Sequence, residues 1–197
     1  MKSNMLKPIV LATMLALSTS AWSASISGGT YETINEDDGQ WSSIQDNTVT
    51  VTSGHVSATG GFGIGTNGVL YLNNENATIT SVMASYLYGT IRQDENTALK
   101  NLSISDGDFT FEGLGNKQQF ELTGDLTYTS TGTGRLYIKN ADVDVGGTLT
   151  FNSAGSYFMT SGDAEVTVDR FVSKGKYGLK NGDNGSGDMQ EATFTAR

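Results

Sequence analysis

The chain has 197 residues, with 12 Lys or Arg against 21 Asp or Glu, a net charge of −9, one histidine and no cysteine. That balance argues against nucleic acid or an anionic membrane surface as the main partner. The missing thiols exclude disulfide staples, thiolate metal sites, thiol catalysis and a lipid-modified N-terminal cysteine.

Residues 1–24 have the layout of an export signal. Lys2 and Lys7 form a charged start, "IVLATMLAL" (residues 9–17) an apolar stretch, and "STSAWSA" (residues 18–24) supplies the small residues of a cleavage site. The apolar stretch is far short of the about 20 residues that span a bilayer, and no later segment is long and apolar enough to do so. Cleavage between Ala21 and Ala24 removes both lysines and leaves 10 basic against 21 acidic residues, a net charge of −11. The expected location is periplasmic, secreted or cell-surface. Residues 25–46 are expected to be an N-terminal cap or lead-in.

Beyond residue 46, period-two alternation replaces any helical period. "TVTV" (48–51), "VLYL" (69–72), "ATIT" (77–80), "LSIS" (102–105), "FTF" (109–111), "LTY" (126–128), "LYI" (136–138) and "VTV" (166–168) are predicted strands, punctuated by Gly, Asn, Asp and Ser. The 25 glycines and the single proline, Pro8, suit long backbone ladders with tight corners. A longer period lies above the alternation. Residues 120–140, 141–163 and 164–186 align as three copies, with Leu122, Val145 and Val168 in one column and Leu126, Leu149 and Val172 in another. Tyr128 and Phe151 form a third column, which continues to Lys174. Residues 77–97 and 98–119 are looser copies.

Such a period predicts a solenoid. The expected fold is all-β, a single-domain right-handed parallel β-helix over residues 47–186 with about 21–23 residues per coil. Residues 187–197 are expected to be a C-terminal tail or last edge strand. Val143, Val145, Leu149 and Phe151 should point inward, with corners at Gly146–Gly147 and Gly155. An antiparallel β-sandwich is the alternative, since it too has short strands and frequent turns. The register across three copies favours the solenoid, as does the absence of "NG" or "DG" two-residue hairpins between strongly alternating strands, with "DG" at Asp106–Gly107 the one exception weighed. Arg170, Lys174, Lys176 and Lys180 crowd one coil, and lysines on a strand edge oppose further pairing. Residues 164–180 are therefore expected to form a terminal cap and the protein to be a monomer.

Chemistry is sparse. His55 is the sole histidine and no G-x-S-x-G elbow accompanies it, so a surface or packing role is expected. No catalytic or cofactor-binding residue is assigned. In the 23-residue register Asp142 lies under Glu165 and Glu121 under Asp144, all facing outward. Asp142, Asp144 and Glu165 are the candidate ligands should calcium bind. Paired carboxylates with Arg170 as the nearest base would also suit a polysaccharide lyase or hydrolase. "DGD" (106–108) and "NGDNGSGD" (181–188) match no known calcium loop and are expected to be turns. "GGFGIGTNG" (60–68) is expected to be a long corner, because no helix follows it. Tyr86, Tyr88, Tyr137, Tyr157 and Tyr177 are expected to fill the core or cover its edge. Thr127 and Thr150 alone align, too short a rank to order ice.

Coils such as "ADVDVGGTLTFNSAG" (141–155), following a Gram-negative-style signal, resemble the β-helical passengers of autotransporters and filamentous-haemagglutinin-type adhesins over residues 47–186. The resemblance implies a secreted, non-enzymatic, adhesin-like or structural module whose partners are glycans or a host or matrix surface. A carbohydrate-active β-helix and a self-assembling fibre subunit are the alternatives, the latter because open coil ends can template further stacking.

Overall fold

A computed structural model describes residues 24–114, 117–153, 157–174, 180–182 and 193–197. The expected export signal apart from Ala24, together with Gly155, Lys176 and Tyr177, lies outside the described residues, as does most of "NGDNGSGD".

The alternation becomes short strands, and the glycine- and asparagine-rich breaks become the corners of a three-sided coil. β1 (Ala24–Ser25) leads into β2 (Gly29–Tyr31), β3 (Ile34–Glu36) and β4 (Ser42–Ile44). The next turns are β5 (Thr48–Val51), β6 (His55–Ala58) and β7 (Phe62–Ile64), then β8 (Val69–Leu72), β9 (Asn76–Ser81) and β10 (Ser85–Leu87). They continue with β11 (Thr90–Arg92), β12 (Asn101–Asp106) and β13 (Phe109–Glu112), then β14 (Gln118–Leu122), β15 (Leu126–Ser130) and β16 (Leu136–Lys139). β17 (Ala141–Ser153) covers two sides of the coil, β18 (Phe158–Ser161) the third; β19 (Glu165–Lys174), β20 (Lys180–Gly182) and β21 (Thr193–Ala196) follow.

Each strand pairs in parallel with its counterpart one turn away. Face A is β1-β4-β7-β10-β13-β16-β18-β20; face B is β2-β5-β8-β11; face C is β3-β6-β9-β12-β15-β17-β19. β14 pairs with the first half of β17, and β21 with the first half of β19. The fold is thus an all-β parallel solenoid, and among the described residues no strand pair is antiparallel and no helix is present. The ladder starts ahead of the boundary expected at residue 47, because β2, β3 and β4 pair with β5, β6 and β7.

Turn length varies more than the expected spacing. Facing side chains on successive turns are 20 residues apart at Thr33–Ser53, 25 at Thr80–Ser105 and 27 at Asp108–Arg135. Part of the surplus is taken up at a corner, in residues 93–98, where it leaves strand parity intact.

Inward side chains form one continuous core. Val143, Val145, Leu149 and Phe151 are buried, and Leu122, Val145 and Val168 are paired in register. The second expected column is corrected at its end: Leu149 pairs with Phe171, and Val172 pairs with Thr150. Gly146 and Gly147 together oppose Asp169 alone, a one-residue bulge that shifts all that follows. Ser173 rather than Lys174 therefore continues the Tyr128/Phe151 column, and Lys174 pairs with Asn152. The chain runs through Gly146–Gly147 without a break in strand, and glycine stands there because side chains would strike the preceding turn; a Cβ on Gly146 would come within 2.9 Å of the Thr123 carbonyl oxygen.

Corners are tied by side chains that extend the ladder where strands lapse. The Asn101 amide donates to Asn76 Oδ1 at 2.9 Å, Asn101 Oδ1 accepts the Asp125 N–H at 2.8 Å, and Asp125 Oδ1 accepts the Thr148 N–H at 2.7 Å. Asp46, Asp106 and Asn140 take positive φ angles at other corners, a conformation that short polar side chains tolerate.

Leu149→Ala is expected to cost about 2–5 kcal/mol by chemical denaturation, as a methyl-lined hole opens in a closed column. Thr150→Ala, on the opposite side of the same strand, should cost under about 0.5 kcal/mol. Equal losses at the two positions would overturn the register.

Candidate functional site

The three outer faces carry three different chemistries. Face B holds the carboxylates singled out in the sequence. Asp142 pairs with Glu165 and Glu121 with Asp144, as the repeat register implies. They form the floor of a groove of about 830 Å³ that runs from β11 across β14 and β17 to β19. The base nearest the acids is Lys117, not Arg170. Its Nζ lies 2.6 Å from Asp142 Oδ1, 3.8 Å from Asp163 and 3.9 Å from Glu165. Arg170 pairs instead with Thr148, at the corner beyond the acids. The ammonium of Lys117 thus sits where a cation shared by Asp142 and Glu165 would lie, and its hydrogen bond to Asp142 raises its pKa above the ordinary lysine range. Asp144 faces Arg197 at 3.1 Å, which also reaches Asp169 at 3.5 Å. Among the described residues no three His, Cys, Asp or Glu side chains are grouped to hold a metal ion.

Face A carries what the sequence reading assigned elsewhere. Tyr86, Tyr88, Tyr137 and Tyr157 were expected to fill or edge the core; all four stand on the outside of this one face. The outward row through β4, β7, β10, β13, β16 and β18 reads Ser43, Gly63, Tyr86, Thr110, Tyr137, Met159. Trp41 joins them from the residue before β4. Its indole lies across β7 in space that only glycine leaves free: a Cβ on Gly61 would overlap the ring, and one on Gly63 would come within 2.8 Å. Trp41 and Tyr86 have ring centroids 5.6 Å apart, and Tyr86 and Tyr88 stack at 5.8 Å. Tyr86 is 37% exposed and Tyr157 52%. Ionic groups border the row: Asp108–Arg135 at 3.3 Å, with the guanidinium 5.9 Å from the Tyr137 ring centre, and Glu112–Lys139 at 2.7 Å.

A local signal for this tract exists in the sequence. In "SYLY" (85–88) the two tyrosines flank Leu87, so if the leucine is inside both rings are outside. Trp41 has no such signal, because its seat depends on glycines one turn away.

Face C presents hydroxyls. Thr78, Ser103, Thr127 and Thr150 form one rank and Ser57, Thr80, Ser105 and Thr129 a second. The rank expected to contain Thr127 and Thr150 alone is therefore longer. In the second rank Thr80 Oγ1 bonds to Ser105 Oγ at 3.0 Å. His55 stands exposed at the head of the first rank, its Nδ1 2.8 Å from Thr78 Oγ1, and among the described residues no group of carboxylates gathers with it.

Comparison with protein-family models, curated proteins and solved structures found no match for this chain.

Two outcomes follow from face A. Gly61→Ala should unseat Trp41, seen as a red shift and stronger acrylamide quenching of its fluorescence; an unchanged spectrum would mean the indole does not lie on the glycines. The Tyr88 hydroxyl is pushed up to about 12 by burial, with the Glu112 carboxylate and Tyr86 adding to the effect. Because the phenol ionises less readily folded than unfolded, its contribution to stability is complete below the usual value of 10.0 and is lost as pH rises toward about 12. Glu112→Gln should bring this ionisation down, read as the ultraviolet titration step that vanishes in Tyr88→Phe.

Proposed function

We propose that this chain is an exported, non-enzymatic β-helical module of adhesin type that binds glycan chains through the aromatic tract on face A. The observation that carries the reading is the contiguous Trp41–Tyr86–Tyr88 cluster, with Trp41 seated on glycines, Tyr86 exposed, and Trp41 and Tyr88 half-buried beside it. Aromatic side chains held half-exposed on a rigid sheet are what a surface uses to anchor a partner. The carbon–hydrogen faces of sugar rings pack on such rings, and the phenol hydroxyls with Asp108, Glu112, Arg135 and Lys139 supply donors and acceptors for sugar hydroxyls around them. The scaffold orders these groups beforehand, so little side-chain freedom is lost on binding.

The carbohydrate-active alternative would use the face B groove. Lys117 is the cation among those acids, and the bond to Asp142 keeps it protonated. A protonated lysine can clamp an anion but cannot take a proton from a sugar carbon, which counts against a lyase step that uses Lys117 as its base.

Retention of the purified protein on a panel of immobilised polysaccharides tests the reading. Tyr86→Ala should weaken retention about tenfold, while Thr150→Ala on face C should leave it unchanged. Equal retention of wild type and Tyr86→Ala would remove face A as the binding surface, and release of reducing ends from the matrix would replace a binding role with an enzymatic one.

A further inference from the structure

The solenoid is laced shut on two faces and open on the third. Between the turn that holds β11 and the turn that holds β14, face A is paired through β13 and β16 and face C through β12 and β15. On face B, among the described residues, β11 pairs only with β8 and β14 only with β17. One bridge, Leu99 to Leu122, joins the two turns there. The cause is residues 93–98, which leave the strand after Arg92 and return at Leu99, closed on themselves by Gln93 N–H to the Thr97 carbonyl at 3.0 Å and Asn96 N–H to Asp94 Oδ1 at 2.8 Å. The result is a wedge, shut at Leu99–Leu122 and open toward Thr90 and Gln118. It is part of the groove of about 830 Å³.

The lips of the wedge are strand edges with groups aimed across it. Thr90 N–H donates to the Gly68 carbonyl on the β8 side, and successive residues of a strand direct their backbone groups to opposite sides. The N–H and C=O of Ile91 and the C=O of Gly89 therefore face the opening. On the other lip Thr123 N–H donates back to the Leu99 carbonyl, so by the same alternation the N–H groups of Glu121 and Gln119 face the opening too. Among the described residues a side chain reaches across the open end: Gln118 Nε2 donates to the Gly89 carbonyl at 3.4 Å, a long, weak contact. The core residues behind the lips are also less sealed, Ile91 at 6% and Phe120 at 4% exposure against 0% for Val49 and Leu70 in the turns before.

From these edges and their surroundings we infer that the wedge on face B is an acceptor for an extended, lysine- or arginine-bearing polypeptide segment, bound by backbone pairing to the lips of β11 and β14. Strand addition takes its affinity from main-chain hydrogen bonds and its selectivity from the flanking side chains. Here those side chains are Glu121, Asp142, Asp144 and Glu165, against Arg92 and Lys117. Glu121 has no ion-pair partner among the described residues, so the floor offers an incoming cation an uncompensated carboxylate. The site is independent of the aromatic tract, which lies on another face.

The test is hydrogen exchange and fluorescence anisotropy on the full chain with a blocked hexapeptide of alternating lysine and valine. Binding should slow exchange at Ile91, Gln119 and Glu121. Methylating the peptide's backbone nitrogens should weaken binding about tenfold or more, and Glu121→Lys, an exposed change, should do the same. Gln118→Ala, which removes the side chain spanning the wedge, should tighten binding, a gain that no loss of folding could imitate. Absence of binding, indifference to N-methylation or to Glu121→Lys, or protection of amides on another face would each overturn the proposal. Protection of the same amides by a neutral oligosaccharide but not by the peptide would also overturn it and make the groove a glycan site.

Discussion

Each strand of this protein finds its hydrogen-bonding partner one turn away, in parallel and in register, and that single requirement governs the rest. Strand parity passes unchanged from turn to turn, so an inward column stays inward and an outward row stays outward. One residue added within a strand would send every later side chain to the wrong side. Additions are therefore confined to corners, as in residues 93–98, or absorbed in a bulge, as where Gly146 and Gly147 oppose Asp169. At the corners, where strand pairing lapses, the column Asn76, Asn101, Asp125 continues the same logic with side-chain oxygens accepting from the next turn.

The same requirement explains what was legible beforehand. Leu122, Val145 and Val168 could be aligned by eye because nothing between them breaks the period, and the parallel solenoid follows from that alignment. Past the bulge the count fails by one, so Val172 and Lys174 were assigned places that belong to Phe171 and Ser173. No local feature of "VTVDRFVSK" announces the missing residue; only pairing against "VDVGGTLTF" does. The carboxylates Asp142 and Glu165 were correctly stacked, yet their cation, Lys117, arrives from the preceding turn, out of the repeat register and beside an insertion. The aromatic tract was missed for a related reason. Tyr86 and Tyr137 are far apart in sequence and not at the repeat spacing, and they meet on one face only because the intervening turns have unequal lengths.

The faces divide the surface by chemistry. Face C presents ranks of short hydroxyl side chains, with Thr80 and Ser105 bonded rung to rung. Face A keeps its rings where glycine recesses have made room for them. Face B gathers acids whose mutual repulsion is relieved by Lys117 and Arg197, each drawn from a distant point in the chain. A fixed backbone lattice thus carries three unlike surfaces because only the outward residue at each rung is free to vary.

The parted ladder on face B also bears on how the molecule comes apart. In a solenoid each turn touches only its neighbours, so stability is a sum of turn energies and interface energies along one axis, and the weakest interface decides where cooperativity breaks. Between the turns of β11 and β14 two faces are bonded instead of three, and the core there is slightly less sealed, at Ile91 and Phe120. Heat or denaturant then meets two blocks joined at a seam, one ending at β13 and one beginning at β14. A partner that laced the seam would fuse the two blocks into a single melting unit.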